Sequence, residues 1–363
     1  MKFSSTQFRA LSVAILCSIA PALHAQTTAT TDPVGFTTTS CLANSDTIIG
    51  LPVTRTAEYS GSIASIAGNV ITMSGSPGWT ANQFVYAAGT QAKTYYALLG
   101  ANTSPTNPKE GSFYTITANS TNTLTVNLNG DDLSSVPSNT QLTIIPYWTL
   151  GTVFPSSDSG VSFITTTQVF SRQTEILLPD TSSVGFNLPP PFTYFFYNGA
   201  WRLVGTDLAI SRNDDVMSPG DYFTVRNKAT ATALTSLGGV LMKKITNPLA
   251  TSASSKQDNF VSLLRPVDVK LTDLGLITSG AFTATTQLFN RKDELFTFDN
   301  SQTGINKGVA ATYFYYSGAW RKVGQDITSD FGTDTIPLGS GFIIRKAVAA
   351  GGPTAFWVND KTY

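Results

Sequence analysis

A stretch of forty residues occurs twice in the chain. Residues 168–207 align without a gap to residues 287–326, and 19 of the 40 positions are identical; unrelated segments would share about two or three. The register runs on to Asp215/Asp334, Gly220/Gly339, Phe223/Phe342 and Arg226/Arg345. Such a duplication demands a fold in which one supersecondary unit is built twice. The centre of the unit reads TYFFYNGAWRLVG at 193–205 and TYFYYSGAWRKVG at 312–324. Two aromatic runs meet at Asn198-Gly199 or Ser317-Gly318, where glycine supplies the positive φ of a tight hairpin. DYFTVRN and GFIIRK downstream read as strands, and TTQVFSRQTEILLPD upstream as a strand pair or one long strand.

The remainder follows the same pattern. Residues 61–75 read as a hairpin around Gly68-Asn69, residues 111–130 as another turning between Ala118 and Asn122, and 141–150 as a further strand. Turn signals every ten residues or so predict an all-β protein: an N-terminal β-domain and two tandem homologous β-sandwich or barrel-like modules. The expected boundaries are a signal peptide at 1–25, the N-terminal β-domain at 26–146, module repeat 1 at 147–245, a Ser/Ala-rich linker at 246–258, and module repeat 2 at 259–363. Phe36, Trp148 and Phe260, each 112 residues from the next, suggest three related starts.

Lys2 and Arg9, an apolar run over Ala10–Ala22 and Leu23-His24-Ala25 form a secretory signal with a cleavage site before Gln26. The run is short for a membrane span, and Leu16 before Cys17 argues against a lipid anchor. Cleavage takes 25 of the 363 residues and moves the net charge from zero to −2. It also removes His24, the one histidine, and leaves one cysteine, Cys41. A mature chain without histidine has no Ser-His-Asp or Cys-His catalysis and no His-ligated metal. Cys41 reads as a buried thiol, the alternative being a bond between molecules. A balanced charge gives no footing to nucleic acid. Terminal Tyr363 raises an outer-membrane barrel, but Lys361 and Asn359 break the lipid-facing pattern, so no span is expected after signal removal.

The segments DPVGF, SDTIIGLPVTR, GWTANQFVYAAG, IPYWTLGTVFP and the paired GAWR hairpins resemble a family of uncharacterised secreted β-rich proteins of environmental Gram-negative bacteria. The resemblance spans the mature chain and implies export and a β-rich body, with no activity attached.

Candidate functional residues follow from the duplication. Trp201 and Trp320, with Tyr197 and Tyr316 and with Arg202 and Arg321, could stack on and bond sugars if exposed, or anchor each module if buried. The repeated acids Glu175/Glu294, Asp180/Asp299, Asp207/Asp326 and Asp215/Asp334 read first as ion-pair partners of Arg172/Arg291, Arg202/Arg321 and Arg226/Arg345. A glycosidase pair is the alternative. Asn129–Asp132, Asn213–Asp215 and Asp299-Asn300 offer oxygens for calcium without the spacing of a calcium loop, and Trp79 shares the exposed-or-buried ambiguity. The reading is an exported, non-enzymatic structural or adhesive protein of the cell surface or extracellular matrix, without metal or cofactor. It would associate with itself or with surface polysaccharide, from periplasm to exterior. A carbohydrate-binding protein and a carboxylate-only glycan-active enzyme are the alternatives.

Overall fold

The computed structural model of the chain describes residues 33–102, 104–361 and 363. The expected signal peptide over 1–25, with Cys17 and His24, lies outside the described residues. What is described is nearly all β.

The first two strands, β1 (Val34–Cys41) and β2 (Ser45–Gly50), do not join the strands that follow them. The next six close on themselves. They are β3 (Tyr59–Ala67), β4 (Val70–Met73), β5 (Tyr95–Leu99), β6 (Phe113–Asn119), β7 (Thr123–Val126) and β8 (Gln141–Pro146), and they form a barrel in the order β3-β4-β7-β6-β5-β8. Its hairpins turn where the sequence places them, at Gly68-Asn69 and between Asn119 and Thr123. Period-two alternation sends Ile71, Met73, Tyr114, Ile116, Leu124 and Val126 into one core with Trp79 and Phe84, and closure leaves no open sheet edge.

The chain then returns to its beginning. Six strands follow β9 (Trp148–Thr149) and the single-turn α1 (Leu150–Val153): β10 (Thr174–Leu178), β11 (Phe192–Tyr197), β12 (Ala200–Leu203), β13 (Val216–Met217), β14 (Tyr222–Asn227) and β15 (Thr232–Gly239). β2 completes a five-stranded sheet, β12-β11-β10-β14-β2, while β9 pairs β13 and β1 pairs β15. The same order occurs once more. With β16 (Ile245–Leu249), β17 (Gln257–Ser262), β18 (Val269–Lys270), β19 (Glu294–Thr297), β20 (Ala311–Tyr316), β21 (Ala319–Lys322), β22 (Thr335–Ile336), β23 (Gly341–Lys346) and β24 (Ala355–Asn359), the sheets are β17-β23-β19-β20-β21, β18-β22 and β16-β24.

Strand pairing therefore regroups the chain relative to the sequence boundaries. Residues 34–50 pair with strands of the expected first repeat, and the barrel fills the connection from β2 to β9. In the second half the matching connection, β17 to β18, is only residues 263–268. Residues 246–258, expected as a linker, supply most of β16 and open β17. Phe36, Trp148 and Phe260 sit on β1, β9 and β17, which hold different places in the sheets, so their equal spacing marks no common start.

The two halves grip each other reciprocally. Arg226 donates from Nε and Nη2 to Asp46 at 2.6 and 2.8 Å, and from Nη2 to Asn306 Oδ1 of the other half at 2.6 Å. The Asn306 amide donates back to Asp46 at 2.7 Å, and the Asp46 amide to the Gly304 carbonyl at 2.8 Å. The mirror set is Arg345 on Asp258 at 2.6 and 2.8 Å and on Asn187 at 2.7 Å. The Asn187 amide donates to Asp258 at 2.8 Å, and the Asp258 amide to Gly185 at 2.9 Å. Asn187 and Asn306 take left-handed φ of 54° and 53°, which asparagine tolerates better than most residues. Each half thus lends the other the same loop, the arrangement of an isologous contact. A small apolar cluster of Phe260, Phe296 and Ile343, with Tyr222 against it, seals the join.

Candidate functional site

The hairpins that carry the duplicated aromatics form as read. Asn198 and Gly199 have φ of 49° and 77°, Ser317 and Gly318 of 49° and 78°, the double positive φ of a type I′ turn. The hairpin twist turns the tryptophans inward. Trp201 is 0% and Trp320 2% exposed. The Trp201 indole N–H donates to the Phe154 carbonyl at 3.0 Å, with Phe163 and Phe196 against the ring. Trp320 lies against Phe282 and Tyr315. The sugar-stacking expectation needed exposed indoles and is corrected here: both are core anchors. Arg202 is buried as well, donating to the carbonyls of Tyr197, Asn198 and Ala209. Arg321 is half-buried and donates to Ser329 O at 2.8 Å. Tyr197 and Tyr316 are half-buried, and each is joined by an isolated parallel bridge, to Thr166 and to Thr285. Trp79 is buried edge-on between Tyr59 and Phe84.

The repeated acids are occupied by structure. Glu175 pairs with Arg172, and Glu294 with Arg291 at 2.7 Å and Lys256 at 3.0 Å. Burial pushes the Glu294 carboxyl up, but the bonds from Arg291 and Lys256 outweigh it and hold the group low. Among the described residues Asp207 and Asp326 form no ion pair with an arginine; each accepts the amide two residues on, at 2.8 and 2.9 Å, and caps its own turn. Asp180 and Asp299 do the same with Ser182 and Ser301, and donors from Ser183 and Ser182 hold Asp180 down at about 2. Asp215 and Asp334 accept the Tyr194 and Tyr313 hydroxyls at 3.0 and 2.7 Å. Of the calcium candidates, Asp131 holds Lys109 and Tyr114, and Asn300 is bound to the Ile48 backbone. Cys41 is buried on β1, and burial pushes its thiol up to about 11, so a bond between molecules through it is closed off.

Once these residues are accounted for, one duplicated side chain stands out. Phe170 and Phe289, identical at matched positions, are 100% and 103% exposed. Each rides a tight turn closed by the same bond, Ser171 N to Gln168 O at 2.8 Å and Asn290 N to Gln287 O at 2.9 Å. Behind each turn stands the Arg–Glu pair just described, its guanidinium 5.7 Å from a core ring, Phe195 or Phe314. The local structure is fixed, and only the ring is left in water. The sequence marked Phe170 and Phe289 as identical but had no means of showing exposure, because a lone aromatic in a polar loop reads equally as a core plug.

Comparison with family models, with curated proteins and with solved structures returns no match.

Proposed function

We propose that the chain is an exported, non-enzymatic structural or adhesive protein of the cell surface or extracellular matrix. It carries two copies of one module, the first interrupted by a barrel, with Phe170 and Phe289 as the points at which it meets another surface. The supporting observation is the matched pair of fully exposed rings on fixed turns. A phenylalanine left in water forgoes about 1.5–3 kcal/mol of burial. Two identical exposures recover that energy on association, and rigid aromatics make efficient anchors. The repeated acids support the same reading, since each is engaged in a cap, a tyrosine bond or an ion pair.

The test is sedimentation and electron microscopy of the mature protein and of Phe170→Ser/Phe289→Ser. Large regular assemblies from the wild type and compact particles from the variant are expected. A wild type that stays monomeric at every concentration and fails to coat cells or surfaces overturns the reading. Assemblies unchanged in the double variant remove the rings from it.

A further inference from the structure

One half-buried carboxylate breaks the symmetry of the two halves. Asp221 and Ser340 hold matching positions, Asp221 bridged to Val261 and Ser340 to Ile49. Asp221 lines a partly open cavity of about 400 Å³ where the barrel meets both halves, with Phe113 and Tyr147 on one side and Asn247 and Phe260 on another. It also lines a second cavity of about 160 Å³ whose walls include Leu178, Met217 and Phe223. Thr181 and Ser218 are shared by both.

Among the described residues nothing donates a hydrogen bond to the Asp221 carboxylate, and no lysine or arginine lines either cavity. The Asn247 side chain, 6% exposed, is likewise without a hydrogen bond to any described residue. The other titratable groups lining the cavities are Tyr147, Tyr222 and Asp258. Tyr147 shares a 2.8 Å bond with Thr115, and Asp258 is held by Arg345. Burial alone pushes Asp221 up to about 7.

A carboxylate set in a cavity wall away from bulk water and without a counter-charge is costly to ionise, and a ligand that brings the charge relieves the cost. An apolar chamber beside it favours hydrocarbon. A neutral polyol would satisfy the first cavity only, and a bare metal ion would find a single carboxylate free. We propose that the two cavities form a binding site for a small organic ammonium compound. Asp221 and Asn247 hold the ammonium, and the hydrocarbon part lodges against Leu178, Met217 and Phe223.

The probe pair is benzylamine against its neutral isostere benzyl alcohol, measured by titration calorimetry on the whole mature protein. Benzylamine is expected to bind at least about tenfold tighter than the alcohol and to lose that margin in Asp221→Asn. Between about pH 8 and about pH 6 the ionised fraction of Asp221 falls about tenfold, and benzylamine affinity should fall with it. No binding of benzylamine at about pH 8 overturns the proposal. So does equal binding of the alcohol, or affinity indifferent to pH. The pH series on the wild type decides the matter even if the variant fails to fold.

Discussion

In the first half, the Ile164 amide donates to the Thr174 hydroxyl at 2.9 Å, and that hydroxyl donates to Asn227 Oδ1 at 2.8 Å. At the matching place in the second half, the Thr283 amide donates to Asp293 Oδ2 at 2.7 Å, and Asp293 is ion-paired to Lys346. Both sites are almost fully buried. The backbone is served identically, by a neutral chain on one side and by opposite charges on the other. The fold at this point requires an acceptor for one N–H and a bridge between neighbouring strands; it does not require charge. A buried ion pair is tolerated only while both members are present.

That difference is best broken from one side. Lys346→Ala leaves Asp293 charged and buried, and should cost about 3–5 kcal/mol. Asn227→Ala removes bonds between neutral groups and should cost about 1–3 kcal/mol. Urea unfolding of both variants compares them directly, and equal losses would mean that the charge at Asp293 adds nothing. The converse exchange, Asp293→Thr with Lys346→Asn, should leave stability unchanged or raise it.

The reciprocal clamps come next. Arg345→Ala should cost about 3 kcal/mol, and Arg226→Ala less, because Arg226 and Asp46 are more exposed than Arg345 and Asp258. Loss of either should also loosen the loop on the opposite half, visible as faster amide exchange near Asn187 or Asn306.

Asp221 against Ser340 yields a pH effect. The folded pKa of Asp221 lies above its unfolded value, so the folded state binds the extra proton and stability falls as pH rises from about 4 to about 7. The slope from this group should not exceed about 1.4 kcal/mol per pH unit. Asp221→Asn should flatten it in thermal melts, and an unchanged slope would assign it elsewhere. The smallest effect is expected at the hairpins: Gly199→Val and Gly318→Val should each cost about 1–2 kcal/mol, because valine resists φ near 77°. Here the two halves should behave alike.

The hairpins were legible in the sequence because a type I′ turn is written in two adjacent residues. The clamps were not. Asp46 and Arg226 are separated by the whole barrel, which destroys the constant offset that exposed the other matched pairs. Arg172 with Glu175 lay within one turn of chain and could be anticipated; Asp207 close to several arginines in sequence could not be assigned correctly, because its own turn satisfied it first. The tryptophans posed a question of burial, and burial is decided by what packs on top, here Phe154, Phe163 and Phe282 from segments far along the chain. Asp221 had no sequence signal of its own: its cavity is made by three parts of the molecule meeting.

The barrel in the connection between β2 and β9 also sets an order of events during synthesis. Every partner of a barrel strand lies within residues 59–146, so the barrel can close as soon as that segment emerges. β1 cannot follow suit, since Thr39 lies opposite Leu234; at about 5–20 residues per second its partner arrives on the order of ten seconds later or more. The insert is therefore finished before its host, and the first strand made waits for the last strand of its own half. A chain stopped just short of Tyr222 would hold a complete barrel and, ahead of it, a β2 with no strand yet made to pair with.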